Sequence, residues 1–184
     1  MIYLIGGAPR AGKSVLGKQA AAKLNIGWMS TDLMMELLRV KNEEGVKTEW
    51  NANPEAITAN AVWFLPYLER LIWVFSSLAE DYLVEGADFL PAQVAQLSKQ
   101  YEIRSVFVGC SEITLEQLDQ FLGRSPGYAF LSEDMKRQVV HDVPLWSEFI
   151  RQEAERFGYP YIDTSGDFPS RLHEAETLLT TNVA

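Results

Sequence analysis

Short apolar runs along this chain alternate with longer stretches whose apolar residues recur at every third or fourth position. The first run, MIYLI (Met1–Ile5), predicts a strand, and after a glycine-rich turn the spacing predicts a helix from Lys13 to about Leu24. IGWMS (Ile26–Ser30) reads as a weak second strand, followed by a helix over Leu33–Lys41 and a polar loop over Lys41–Asn53. A long helix is expected over Pro54–Glu80, because proline is tolerated in a first helical turn. Along it Ile57, Ala61, Phe64, Leu68, Leu71, Phe75 and Leu78 form one apolar face, which Pro66 is expected to bend or interrupt.

The alternation continues to the end. YLVE (Tyr82–Glu85) predicts a third strand and Pro91–Tyr101 a helix; SVFV (Ser105–Val108) predicts a fourth strand and Leu115–Leu122 a short helix. Gly123–Asp142 mixes glycine, proline, two arginines and several acids, and reads as a mobile excursion. Pro144–Phe157 is expected to be helical, Tyr159–Ile162 a fifth strand and Pro169–Leu179 a closing helix. Strands alternating with helices imply an α/β fold with a parallel sheet covered on both faces. No repeat or linker divides residues 1–184, which are read as a single domain.

Composition narrows the partners. Of 184 residues 47% are hydrophobic and 22% charged, which suits a globular protein, and the net charge of −9 argues against nucleic acid. The most apolar later run, AVWFLPYLERLIWVF, is broken by Pro66, Glu69 and Arg70, so no membrane partner is expected. The N-terminal run lacks the basic flank of a signal peptide. One cysteine, Cys110, excludes an internal disulfide framework and reads as a structural thiol; His141 and His173 are isolated and receive no catalytic role. Together these features point to a cytosolic protein; its oligomeric state stays open.

The chemistry begins at GAPRAGKS, Gly7 to Ser14, which fits the pattern G-x-x-x-x-G-K-[ST]. Gly7 and Gly12 permit backbone turns that aim successive N–H groups at an anion. Lys13 can reach the β- and γ-phosphates, the Ser14 hydroxyl can ligate Mg²⁺, and the helix adds its positive end. Gly7, Ala8, Pro9, Arg10, Ala11, Gly12, Lys13, Ser14 and Val15 are therefore the candidate nucleotide-binding residues, with ATP and Mg²⁺ the expected cofactors. Arg10 either touches phosphate or faces solvent. The motif follows an apolar strand and opens a helix, as its mechanism requires.

Two further groups of residues stand at telling intervals. Asp32, Glu36 and Arg39 lie along one helical face, with Arg39 about 10 Å beyond Asp32, where its planar fork could hold an acidic group on an acceptor. The alternatives are an N-cap for Asp32 and a solvated residue or an ion pair with Glu36 for Arg39. On the long helix Trp63, Tyr67 and Arg70 form a second face, which either lines an acceptor pocket or packs on a neighbouring helix.

The P-loop at residues 6–14, with the segments around 30–39 and 82–88, the chain length and the order of elements, resembles the nucleoside-monophosphate-kinase-like branch of P-loop phosphotransferases. That branch includes adenylate, shikimate and gluconate kinases, chloramphenicol phosphotransferase and the 2-phosphoglycerate-kinase-like proteins. The resemblance implies a P-loop NTPase fold with a five-stranded parallel sheet and a lid between strands four and five, where residues 123–142 fall. It implies that Asp32, at the end of the second strand, meets the acceptor hydroxyl and takes its proton. Glu85, ending the third strand, would hold Mg²⁺ or touch the acceptor, although an aspartate is more usual there; Asp88 is a weaker candidate. Arg124 and Arg137 of the lid would close over the nucleotide, and Thr164, Ser165 and Gly166 would pass beside the base.

The leading expectation is thus a kinase transferring the γ-phosphoryl group of ATP to a small hydroxyl-bearing metabolite. A nucleoside monophosphate kinase is the alternative that Arg39 and Arg70 keep open, and a nucleotide-dependent regulatory ATPase is the alternative of another class.

Overall fold

The computed structural model describes residues 1–40, 52–120 and 131–181. Five strands, β1 (Ile2–Gly7), β2 (Gly27–Ser30), β3 (Tyr82–Glu85), β4 (Ile103–Gly109) and β5 (Tyr161–Asp163), pair in the order β2-β3-β1-β4-β5, every pairing parallel. The helices are α1 (Lys13–Leu24), α2 (Thr31–Arg39), α3 (Pro54–Ser77), α4 (Pro91–Leu97), α5 (Leu115–Gln120), α6 (Glu133–Phe157) and α7 (Phe168–Thr180).

Strand alternation divides the core into two layers. Ile2 and Leu4 of β1, Val84 of β3 and Phe107 of β4 join the cluster that holds Phe64 and Leu68 of α3 and Val94 of α4. Tyr3 and Ile5, Leu83, and Val106 and Val108 join the opposite cluster, with Leu16 and Ala20 of α1 and Leu172 of α7. Successive side chains on a strand point to opposite faces, so a strand covered on both sides is apolar throughout. All six residues of β1 are buried.

Several predicted bounds shift. β4 is longer at both ends than SVFV, β5 begins at Tyr161, and α4 stops at Leu97. The helix read as Leu33–Lys41 begins at Thr31, since Ser30 is its N-cap and accepts a hydrogen bond from the Asp32 N–H. α3 runs unbroken through Pro66, which with Val62 stands on the exposed face of the helix. The largest difference is α6. It starts at Glu133, capped by the Ser132 hydroxyl accepting from the Met135 N–H, and runs through Pro144, so residues 133–142 are helical and not an excursion. Ser132 followed by Glu133 and Asp134 was a readable start signal, and Pro144 masked it. The polar loop expected over Lys41–Asn53 lies almost wholly outside the described residues, as do residues 121–130, including Arg124. Among the described residues no helix is long and apolar enough to cross a membrane.

Candidate active site

The parallel sheet brings the carboxyl ends of β1, β2 and β3 to one edge, and the loops leaving them carry the candidate chemistry. After β1 the chain turns through Gly7, with φ of 139°, Arg10, with φ of 68°, and Gly12, with φ of 82°. At Gly7 a side chain would also collide with the Val108 carbonyl, 1.9 Å from the place of a Cβ, so glycine alone allows β1 and β4 to approach there. Lys13 is buried at the first position of α1, and its Nζ donates to the Ala8 carbonyl at 2.7 Å across the loop. Burial pulls the Lys13 ammonium below its usual pKa, while Glu85, then Asp32, then Asp88 act in the opposite direction. Three carboxylates from two other strand ends thus bear on this lysine.

Ser14, the next residue, donates its hydroxyl to Glu85 Oε1 at 2.9 Å. Glu85 ends β3 at 1% exposure, and burial raises its pKa against the pull of Lys13 and of hydrogen bonds from Ser14 and Ser30. A serine hydroxyl beside a buried carboxylate is a set of hard oxygen donors, the kind Mg²⁺ prefers, and the pair fits that ion. Groups of three or more His, Cys, Asp or Glu placed to hold a metal do not occur among the described residues, so any ion here would take ligands from substrate or water as well.

Asp88 sits three residues beyond Glu85. Its Oδ2 accepts from the Thr31 hydroxyl at 2.5 Å and its Oδ1 from Asn60 Nδ2 at 3.1 Å. One buried carboxylate therefore ties the loop after β3 to the start of α2 and to α3. The approach is close: at Gly86 a Cβ would lie 1.8 Å from Thr31 Oγ1. Neither Thr31 nor Asn60 stands out in the sequence, because their partner is distant along the chain.

The remaining candidates separate. Asp32 is exposed at the second position of α2, and because Ser30 is the cap, its carboxylate is not needed for capping. Arg39 is ion-paired with Glu36 on the same helix. Trp63 and Tyr67 do stand together, ring centroids 5.1 Å apart, with Tyr67 also 6.2 Å from Phe64. Arg70 lies over the Trp73 ring at 4.2 Å, so the second face of α3 carries its cation toward an exposed tryptophan. Arg137 is exposed near the start of α6. Arg10 is half-buried, and its charge acts on both Lys13 and Cys110. Cys110 is a buried thiol whose pKa is raised chiefly by burial.

On the other side of the P-loop, an open groove of about 470 Å³ is lined by Val15, Gln19, Phe168, Pro169, Leu172 and His173, among others. The Phe168 ring packs on Gly12, where a Cβ would meet it at 2.7 Å. The turn leading to it is ordered by Asp163, which accepts from the Ser111 N–H and from the Ser165 N–H and hydroxyl.

Solved structures share this arrangement of strands and helices. A shikimate kinase from Bacteroides thetaiotaomicron superposes with a TM-score of 0.55 at 14% identity, covering 98% of this chain and 99% of its own. The fold is that of small P-loop kinases. A shikimate kinase from Aquifex aeolicus vf5 gives 0.53 at 13% identity, covering 97% and 96%, and a gluconokinase from Sinorhizobium meliloti 1021 gives 0.52 at 11%, covering 96% and 90%. At such identities the likeness is one of fold. No protein-family model matches the chain, and no curated protein matches it in sequence.

Proposed function

We propose that this protein is a small-molecule kinase that moves the γ-phosphoryl group of ATP, with Mg²⁺, to a hydroxyl of a small metabolite. The observation that carries the reading is the convergence at one sheet edge of Lys13, the Ser14–Glu85 pair and Asp32. Glu85 and Asp32, from two further strand ends, lie close enough to Lys13 for their charges to act on it, which supports phosphoryl transfer at this loop. The fold shared with shikimate and gluconate kinases supports a hydroxyl acceptor.

In this mechanism the P-loop N–H groups and the α1 N-terminus hold the phosphate chain, and Lys13 leaves Ala8 O to balance charge on the transferring group. Ser14 and Glu85 would hold Mg²⁺, which supplies neutralisation of the phosphate oxygens. Asp32 orients the acceptor hydroxyl and takes its proton as the new P–O bond forms and the bond from the γ-phosphorus to the β–γ bridging oxygen breaks, releasing ADP. The Val15–Phe168 groove receives the base, and Arg137, exposed near the start of α6, is the described candidate for closing over the nucleotide in a single domain spanning residues 1–184. The Arg39–Glu36 pair and the placing of Arg70 over Trp73 weigh against a nucleoside monophosphate as acceptor, since its phosphate needs converging cations. A cytosolic setting, where ATP is abundant, belongs to the same proposal.

A screen of purified protein with MgATP and a panel of polyols, sugars and hydroxy acids tests the reading through ADP release that depends on one acceptor. Asp32→Asn is expected to slow transfer on the order of 10²- to 10⁴-fold while ATP affinity stays nearly constant. Undiminished turnover in that variant would remove Asp32 as the base. Hydrolysis that needs no acceptor but responds to a partner protein would favour the regulatory ATPase instead.

A further inference from the structure

Thr164 lies outside the P-loop motif, on the turn after β5, and is buried. Its backbone N–H donates to the Gly109 carbonyl at 2.8 Å, which pins the turn to the end of β4. Its hydroxyl also faces Gly109 O, at 2.8 Å, with Ala11 O of the P-loop at 3.3 Å as the second acceptor of a three-centre bond. Ala11 is fully buried. A buried carbonyl requires a donor, and the Thr164 hydroxyl is the side-chain donor that reaches this one.

The consequence follows from the planar trans peptide. The carbonyl of Ala11 and the N–H of Gly12 belong to one rigid plane and point in opposite directions. Anchoring Ala11 O toward β5 turns the Gly12 N–H the other way. A rotation of this peptide would instead aim a carbonyl dipole at the anion and replace attraction by repulsion. A second contact from the same segment limits that rotation: the Phe168 ring, four residues beyond Thr164, packs on Gly12.

We infer that Thr164 is a positioning residue for phosphate binding, holding the Ala11–Gly12 peptide with its N–H turned toward a bound nucleoside polyphosphate. The inference rests on the nucleotide reading above, and it concerns the donor site alone, so no knowledge of the acceptor is needed to test it.

The experiment measures the dissociation constant of MgADP for the wild-type chain, Thr164→Val and Thr164→Ser, by calorimetry well below each protein's melting temperature. Valine keeps the shape and removes the hydroxyl; serine keeps the hydroxyl. Thr164→Val is expected to weaken MgADP on the order of tenfold, and Thr164→Ser to restore affinity to within about twofold of wild type. The Gly12 amide resonance, followed by NMR, is expected to move on MgADP addition in wild type and Thr164→Ser and to move less in Thr164→Val. Equal affinity in wild type and Thr164→Val, or a serine variant as weak as the valine one, would overturn the inference. Should Thr164→Val fail to fold, Thr164→Ala is measured in its place with the same two readouts. A wild-type chain that binds no MgADP would overturn the nucleotide reading itself, and the inference with it, whereas wild-type binding with an unaffected variant would sink only the role of Thr164.

Discussion

Asp88 is the residue at which burial and charge conflict most openly. It is 8% exposed, burial raises its pKa above the usual 3.8, and the bonds from Thr31 and Asn60 only partly offset this. The folded chain therefore keeps the Asp88 proton at pH values where the unfolded chain has lost it. Its contribution to stability is greatest below 3.8 and is lost as pH rises through the raised folded value. Melting temperatures of wild type and Asp88→Asn from pH ~4 to 8 check this: wild type is expected to lose stability relative to the variant as pH rises, then level off. Parallel profiles would show that the carboxyl is not held up in the folded state. Glu85 was legible as the acid ending an apolar strand; its serine partners and the Asp88–Thr31–Asn60 connection were not, because each joins residues that chain spacing cannot relate.

At the scale of elements, α3 shows how far periodicity reaches. Ile57, Ala61, Phe64 and Leu68 are buried as the pattern requires, but the next buried position is Ile72, and Leu71 is only half-buried. A four-residue step keeps the stripe on the core face here, and a sequence rich in apolar residues on all sides does not reveal which step is taken. The energetic difference is measurable by urea unfolding. Ile72→Ala is expected to cost about 2–5 kcal/mol, and Leu71→Ala clearly less, because a half-buried side chain gives up less contact and leaves no closed cavity. Equal losses would mean that the helix is rotated from the described position. In α6 a proline stands inside the helix and not at its start: it is tolerated because neighbouring packing holds both halves, as Val139, Val143, Ser147 and Ile150 do around Pro144.

For the whole molecule, the net charge of −9 makes anion binding a local achievement of the loop and not of the overall field. A ligand that binds only the folded state stabilises it by mass action, about 2.7 kcal/mol when present at 100 times its dissociation constant. MgADP at saturating concentration is thus expected to raise the melting temperature of wild type. Lys13→Ala is expected to abolish most of that rise, because the loop loses the cation that reaches the phosphates. A rise of equal size in the variant would show that nucleotide binds elsewhere.

The sequence by itself determined the α/β class, the order of strands and helices and the position of the P-loop. These follow from periodicity and from a contiguous motif, both of which are local along the chain. Tertiary structure alone decided that Glu85 meets Ser14, that Asp88 joins Thr31 to Asn60, and that Thr164 reaches Ala11 across 153 positions of sequence. The physical reason is the parallel sheet. Its crossovers carry residues distant in sequence to one edge, and the strand order β2-β3-β1-β4-β5 sets which of them touch.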